Sequence, residues 1–410
     1  MTAPAPTPAP AAPATSPAAF IPLCVPQVEG NEWAYVKECL DTGWVSSVGA
    51  YVDRFERGLA AAIGGGTAVA TASGTAALHV ALLVAGVEPG DEVLVSTLTF
   101  IAPANAIRYA GAWPVFVDAE PDFWQMCPAR LREFLETGCE LRDGVLRNRT
   151  TGRRVRAVLP VHILGHPVDL APVLELARRF GLAVVEDATE SLGAAYRGQA
   201  VGTFGDVSCF SFNGNKLLTT GGGGMLVSAR AELAARARYL TMQAKDDPLE
   251  YVHGAIGYNY RLTNVQAAIG VAQLERLREY LAAKRRIAER YREGLADLPG
   301  LTFMREAPWA ESAWWLFTLL VDEARFGMSS RALLRELDAR GIQTRPLWQP
   351  LHQSPAHAGA QSTGCPVAES LHRDALSLPC SVGLAESDQE RVIAEVRLLA
   401  AGDRPAGAGR

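Results

Sequence analysis

The stretch Thr-Ala-Val-Ala-Thr-Ala-Ser-Gly-Thr-Ala-Ala-Leu (residues 67–78) passes from a short β-prone run into small residues and then into a helical pattern. A strand at Thr67–Thr71 followed by a helix at Thr75–Ala85 is the opening of a βα unit. Small residues at the junction let a backbone come close to a ligand, and the free N–H groups of a helix start favour an anion. Ser-Gly-Thr is also an ordinary capping sequence, so this stretch alone offers a phosphate cup among other readings.

The same rhythm continues outward. Strands are predicted at Glu92–Ser96, Pro114–Asp118, Ala157–His162 and Leu182–Asp187, with helices at Pro103–Ala110, Pro128–Leu135 and Leu170–Phe180. Short apolar runs alternating with helices predict a mostly parallel sheet covered by helices. Residues 137–156 are polar and Gly-punctuated and predict a surface hairpin. After Asp187 two strands lie close together in sequence, Val207–Phe212 and Met225–Ser228, with a turn between them. A long helix is predicted over Asn264–Leu295, leading to a smaller lobe with strands at Trp314–Val321 and Gly341–Thr344.

That turn contains Lys216, in Phe-Ser-Phe-Asn-Gly-Asn-Lys-Leu-Leu-Thr-Thr-Gly-Gly-Gly-Gly-Met (210–225). The chain has four lysines against 35 arginines, so an amine stands where guanidinium is the habit. An amine can lose its proton and form an imine with a carbonyl; a guanidinium cannot. A solvated turn lysine is the plain alternative. The imine reading points to pyridoxal 5'-phosphate (PLP), which needs an imine lysine, an anion at its ring nitrogen, a phosphate cup and a flat ring against its face. Asp187 ends a buried strand at the C-terminal edge of the sheet, where ligands of open α/β folds bind. It could equally cap a helix. Ser211 can add a hydroxyl to the cup, and Phe100 follows the strand Glu92–Ser96 where a ring could stack or simply fill the core. His162 and His166 follow another strand and border the same crevice, as substrate contacts or as structural histidines; no third ligand suggests a metal.

Composition narrows the classes. The 410 residues are 49% hydrophobic and 20% charged, enough for a large core and more than one lobe. A net charge of −5 leaves no footprint for nucleic acid or an anionic membrane surface. Seven cysteines with no Cys-x-x-Cys pair argue against a disulfide framework or zinc site and fit a reducing, cytoplasmic compartment. The Ala/Pro-rich N-terminus lacks a signal peptide's basic start and apolar run. Extended tails are expected over 1–21 and 401–410, a large domain over 22–265 and a small one over 266–400.

Together with Ser-Gly-Thr-Ala-Ala-Leu, four further blocks carry a resemblance: Glu-Asp-Ala-Thr-Glu-Ser-Leu-Gly-Ala (186–194), Gly-Thr-Phe-Gly-Asp (202–206), Phe-Ser-Phe-Asn-Gly-Asn-Lys and Gly-Tyr-Asn-Tyr-Arg-Leu-Thr-Asn-Val-Gln-Ala-Ala (257–268). In order and spacing, from about residue 22 to residue 395, the chain resembles the DegT/StrS sugar aminotransferases. The resemblance implies an α/β fold of the aspartate-aminotransferase-like PLP type I class, with a large, mostly parallel sheet domain and a smaller C-terminal α/β domain. It also implies a homodimer with shared active sites.

Carried onto this sequence, it makes Lys216 the Schiff-base lysine and general acid/base, Asp187 the pyridinium partner and Phe100 the stacking ring. Gly74, Thr75 and Ser211 become phosphate contacts, and Glu190 stands where relatives often carry Gln or His near the cofactor hydroxyl. Either Asn259 or Arg261 reaches the neighbouring subunit's phosphate. Trp44, Val45, Ser46 and Ser47 resemble the loop that lines the sugar site.

Within the family the likeness is to UDP-N-acetylbacillosamine and legionaminic acid pathway transaminases. It rests on residues 137–156, His-Ile-Leu-Gly-His-Pro-Val-Asp (162–169), the Lys216 turn and Gln-Ala-Lys-Asp-Asp-Pro (243–248). The implied reaction is transfer of an amine from glutamate, through pyridoxamine 5'-phosphate, to a UDP-2-acetamido-4-keto-6-deoxy hexose.

The competing expectations are a PLP-dependent sugar dehydratase or aromatizing enzyme of the same family, and a non-catalytic regulatory or sugar-nucleotide-binding protein on the same fold. Lys216 disfavours the dehydratases that carry His at its position. No Gly-x-Gly-x-x-G opens a helix, which disfavours a Rossmann dehydrogenase.

Overall fold

The computed structural model describes residues 19–247, 249–400 and 402. The expected tails fall outside these residues up to residue 18 and from residue 403. Ile21 is an exception to the first tail: it is buried, its N–H donates to the Gly341 carbonyl at 2.8 Å, and its carbonyl accepts from Gln343 N at 2.9 Å.

Eight strands form the main sheet, in the order Thr67–Thr71, Gly224–Ser228, Val207–Ser211, Ala183–Asp187, Val155–Leu159, Glu92–Ser96, Trp113–Val117 and Gln361–Ser362. From Val207–Ser211 onward the neighbours are parallel; Gly224–Ser228 runs antiparallel to both of its neighbours. Side chains alternate across a strand. Val93, Val95, Phe116 and Leu159 therefore pack with the helix Gly74–Val84 on one face, and Leu94, Val115, Val117 and Val158 with the helix Leu170–Phe180 on the other. Both faces are buried, which is why these strands read as continuous apolar runs.

Sequence patterning placed Thr67–Thr71, Glu92–Ser96 and the helix Leu170–Phe180 at their observed ends. Residues 139–148 form the expected hairpin, Cys139–Arg142 paired with Val145–Asn148. Two expectations are corrected. The long helix is two, Asn264–Glu275 and Leu277–Leu295, because Arg276 leaves the helical region at φ −107° and its N–H turns back to Gln273 O. Gly341–Thr344 is no strand: Gly341 takes φ +72° to end the preceding helix, and beyond it only Ile342 bridges Ile21.

Helix Asn264–Glu275 packs against helices Glu32–Thr42 and Ala50–Ala62. A three-stranded antiparallel sheet, Leu301–Phe303, Phe317–Val321 and Ala375–Leu378, organises the C-terminal part of the chain. From there the short strand Gln361–Ser362 returns to the edge of the main sheet. No helix among the described residues is long and apolar enough to cross a membrane.

Candidate active site

A cavity of about 420 Å³ opens at the C-terminal ends of the parallel strands, where an open α/β sheet presents ligand sites. One wall is the start of helix Gly74–Val84. Ser73 caps it, its hydroxyl accepting from Ala76 N at 3.1 Å, which leaves the N–H groups of the first turn directed at the cavity. Gly74 has a steric reason: a Cβ there would sit 2.8 Å from Ser211 Cβ, so any side chain would push the helix start off the strand end. Gly74, Thr75 and Ser211 thus share one corner of the cavity.

Asp187 and Glu190 form the floor. Asp187 is 1% exposed, and Thr189 N donates to its Oδ1 at 3.1 Å. Burial pushes its carboxyl above the usual range, opposed by the hydrogen bonds from Thr189 and by the charge of Lys216. Burial likewise raises Glu190, opposed first by Lys216. Leu164 N donates to Glu190 Oε2 at 2.9 Å, and Lys216 Nζ lies 3.3 Å from Glu190 Oε1. The Lys216 side chain is 14% exposed, and its ammonium sits 3.9 Å from the centroid of the Trp315 ring. Phe100, 57% exposed, lines the cavity.

Other predicted residues lie elsewhere. His162 is fully buried: its Nδ1 accepts from Val168 N at 2.9 Å, so the proton is on Nε2, which meets Glu186 Oε1 at 3.1 Å. His166 is also fully buried, with Nδ1 against the Pro167 carbonyl at 2.8 Å and Nε2 accepting from Ala307 N at 3.0 Å. Burial lowers its pKa to about 4. Both rings are saturated by internal partners and neither lines the cavity, which corrects the substrate reading of this pair in favour of structural histidines.

Trp44 and Ser47 line a different cavity, of about 610 Å³, together with Arg261 and Asn264. Asn264 holds that loop: its Nδ2 donates to Trp44 O at 2.7 Å and its backbone N to Ser46 O at 2.6 Å. Trp44 and Val45 are 57% and 43% exposed. Within one chain the segment from Trp44 to Ser47 therefore does not meet Lys216. Arg261 is committed to Glu56, which also holds Arg238 and Ala70 N, whereas Asn259 is exposed.

The sequence did not single out Trp315 and Trp348, which close the cavity opposite the sheet. Their rings stack at 6.5 Å, and Trp315 Nε1 donates to the Asn215 carbonyl at 2.7 Å. The available signal was the pair Trp314-Trp315 just before a strand, which reads as core.

Residues 26–397 match the DegT/DnrJ/EryC1/StrS aminotransferase family. The chain belongs to this family. It is 41% identical over 377 residues to a GDP-perosamine synthase of Caulobacter vibrioides, covering 91% of this chain and 96% of that protein. It is 38% identical over 360 residues to a GDP-perosamine synthase of Escherichia coli O157:H7, covering 88% and 93%. The structure of the aminotransferase TlmJ from Streptoalloteichus hindustanus superposes with a TM-score of 0.84 at 33% identity, covering 93% of this chain and 99% of that one.

The chain is accordingly a PLP-dependent aminotransferase acting on a nucleotide sugar, with the aspartate-aminotransferase-like fold. Its residues fit the cofactor. The glycine approach at Gly74 leaves room for a phosphate against a helix start, and a buried carboxylate and an amine face the same space. A positively charged ring nitrogen placed against Asp187 would offset the burial that now raises its carboxyl.

Proposed function

We propose that this family member transfers the amino group of glutamate to the C4 ketone of a nucleotide-linked 4-keto-6-deoxy hexose, giving the 4-amino sugar. The observation that carries the reading is the Lys216 amine held between Glu190 and Trp315 in the cavity that the buried Asp187 carboxyl also lines. PLP, bound there, supplies the carbonyl that accepts the amine and an electron sink for the proton transfers.

Each residue then has a task. The N–H groups at Gly74 and Thr75 and the Ser211 hydroxyl would bind the phosphate, and Phe100 would cover the ring. Asp187 would stand against the ring nitrogen and favour its protonated form, and Glu190 would lie near the cofactor hydroxyl. Lys216, as a free amine, would hold and move a proton at its Nζ, general acid/base work on the order of 10²–10⁴-fold.

Residues 44–47 and Asn259 would act on the neighbouring subunit of a homodimer, since in one chain Trp44, Val45, Ser46 and Asn259 are exposed and Trp44 and Ser47 line a cavity apart from Lys216. The uncommitted Asn259, rather than Arg261, is the one free to reach the partner's phosphate. We place the enzyme in the cytoplasm, where its free thiols stay reduced.

For the sugar, the inserted hairpin and the Lys216 turn support a UDP-2-acetamido-4-keto-6-deoxy hexose. A second reading, a GDP-linked 4-keto-6-deoxy hexose, is favoured by the names of the two relatives at 41% and 38% identity. Incubation with PLP, glutamate and a panel of UDP-, GDP- and dTDP-linked 4-keto sugars, with mass and NMR of the products, decides between them. A product that has only lost water would point to dehydration instead.

A further inference from the structure

One residue before Lys216, the Asn215 carbonyl accepts from Trp315 Nε1 at 2.7 Å and from Cys24 Sγ at 3.4 Å. Cys24 belongs to a cluster that amine transfer does not use. Lys284, 1% exposed, places its Nζ 3.8 Å from Cys24 Sγ and donates to the carbonyls of Trp315, at 2.9 Å, and of Cys380. Cys380, also 1% exposed, holds its Sγ 3.6 Å from the same Trp315 carbonyl that Lys284 reaches.

The two segments are fastened side by side. Cys380 N donates to the Leu23 carbonyl at 2.7 Å, and Val25 N donates to Ser381 Oγ at 3.0 Å. Thiols from opposite ends of the chain are thereby paired beside the active-site turn.

Their environments differ. The hydrogen bond from Cys380 lowers the Cys24 thiol to about 6 against the effect of burial, with the charges of Lys284 and Lys216 adding to it. The same hydrogen bond and its own burial push Cys380 well up. A thiolate is the nucleophile in oxidation chemistry, and Cys24 is the partly exposed member. A reactive thiolate beside a protonated thiol is an attacking and resolving pair.

We propose that Cys24 and Cys380 form an oxidisable pair that closes to a disulfide on exposure to a peroxide. The Cys24 thiolate attacks the O–O bond, giving sulfenic acid and hydroxide. The Cys380 sulfur then displaces the sulfenic oxygen, its proton leaving with that oxygen as water. Two thiols and one hydrogen peroxide become one disulfide and two waters, the sulfurs giving up two electrons. Closure draws the Cys24 sulfur toward Cys380 and away from the Asn215 carbonyl, which then keeps the Trp315 indole N–H as its side-chain partner.

The test uses the full reduced chain, treated with hydrogen peroxide, alkylated and digested without reductant. The expected result is a linked peptide pair containing Cys24 and Cys380, a chain lighter by two hydrogens and two fewer titratable thiols, all reversed by dithiothreitol. Cys24→Ser, at the partly exposed site, abolishes the linked pair while its circular dichroism stays native; Cys380→Ser does the same if it folds. Unchanged thiols overturn the proposal. So do Cys24 oxidised alone with Cys380 free, a bond from Cys24 to Lys284, or a link to any other cysteine. No readout depends on the amine-transfer reaction.

Discussion

Glu190 and Lys216 form a nearly enclosed pair: Nζ and Oε1 are 3.3 Å apart, the carboxylate side chain is 3% exposed and its second oxygen takes the Leu164 N–H at 2.9 Å. One side chain therefore ties Lys216 to the loop after the strand Val155–Leu159. Glu190→Ala would leave an amine and a backbone N–H without their acceptor in a buried place. The expected cost to the cofactor-free chain is about 3 kcal/mol, with Glu190→Gln losing less because its carbonyl still serves Leu164. Urea denaturation of the three proteins checks the order.

Lys216→Ala is expected to end turnover while leaving the phosphate corner intact, so PLP still binds but without imine absorbance. Absorption spectra of the variant with added PLP, beside a glutamate half-reaction, measure both. Normal turnover would remove Lys216 from the chemistry.

Asp187→Asn separates stability from catalysis. The raised carboxyl of Asp187 means that in the cofactor-free chain its ionisation opposes folding. A folded-state pKa above the unfolded one gives stability at low pH that is lost as pH rises through it. The variant's stability should therefore fall less between acid and neutral pH than the wild type's. Its rate should fall on the order of 10²–10³-fold, the scale of losing one placed electrostatic partner. Denaturation profiles and single-turnover rates test the two halves separately.

Gly74→Ala places a methyl 2.8 Å from Ser211 Cβ. Relief requires the helix start to move away from the strand end, at about 1–3 kcal/mol. A drop in PLP affinity larger than the drop in thermal stability is the expected signature, read by cofactor titration and thermal melts.

His166 gives a pH dependence of opposite sign. Its pKa is about 4 in the fold, chiefly through burial, against 6.5 when free. The unfolded chain binds the extra proton between those values, so the contribution is complete above pH 6.5 and is lost as pH falls toward 4, amounting to about 3 kcal/mol. His166→Gln should flatten that part of the stability profile relative to the wild type.

Much of this was readable because it is local. A strand ending in Asp187, a helix opening at Ser-Gly-Thr and a turn holding Lys216 each carry a short-range pattern, and the parallel sheet brings their ends together. Trp315 and Cys24 were not legible, since nothing near them in sequence records that they meet at Asn215. His162 and His166 misled for a related reason. They follow a strand that ends at the crevice, but Leu164 turns the chain at φ +61° and Glu186 takes the His162 ring inside. The loop from Trp44 to Ser47 reads as part of a sugar site although one chain keeps it apart from Lys216.

The most direct test of the central claim is one reaction: the full chain, PLP, ¹⁵N-glutamate and a panel of nucleotide 4-keto sugars, followed by mass spectrometry and NMR. The expected products are 2-oxoglutarate and a sugar whose C4 oxygen has been replaced by the labelled amine, with neither formed by Lys216→Ala. A sugar product without ¹⁵N, or labelled product from the alanine variant, would contradict it.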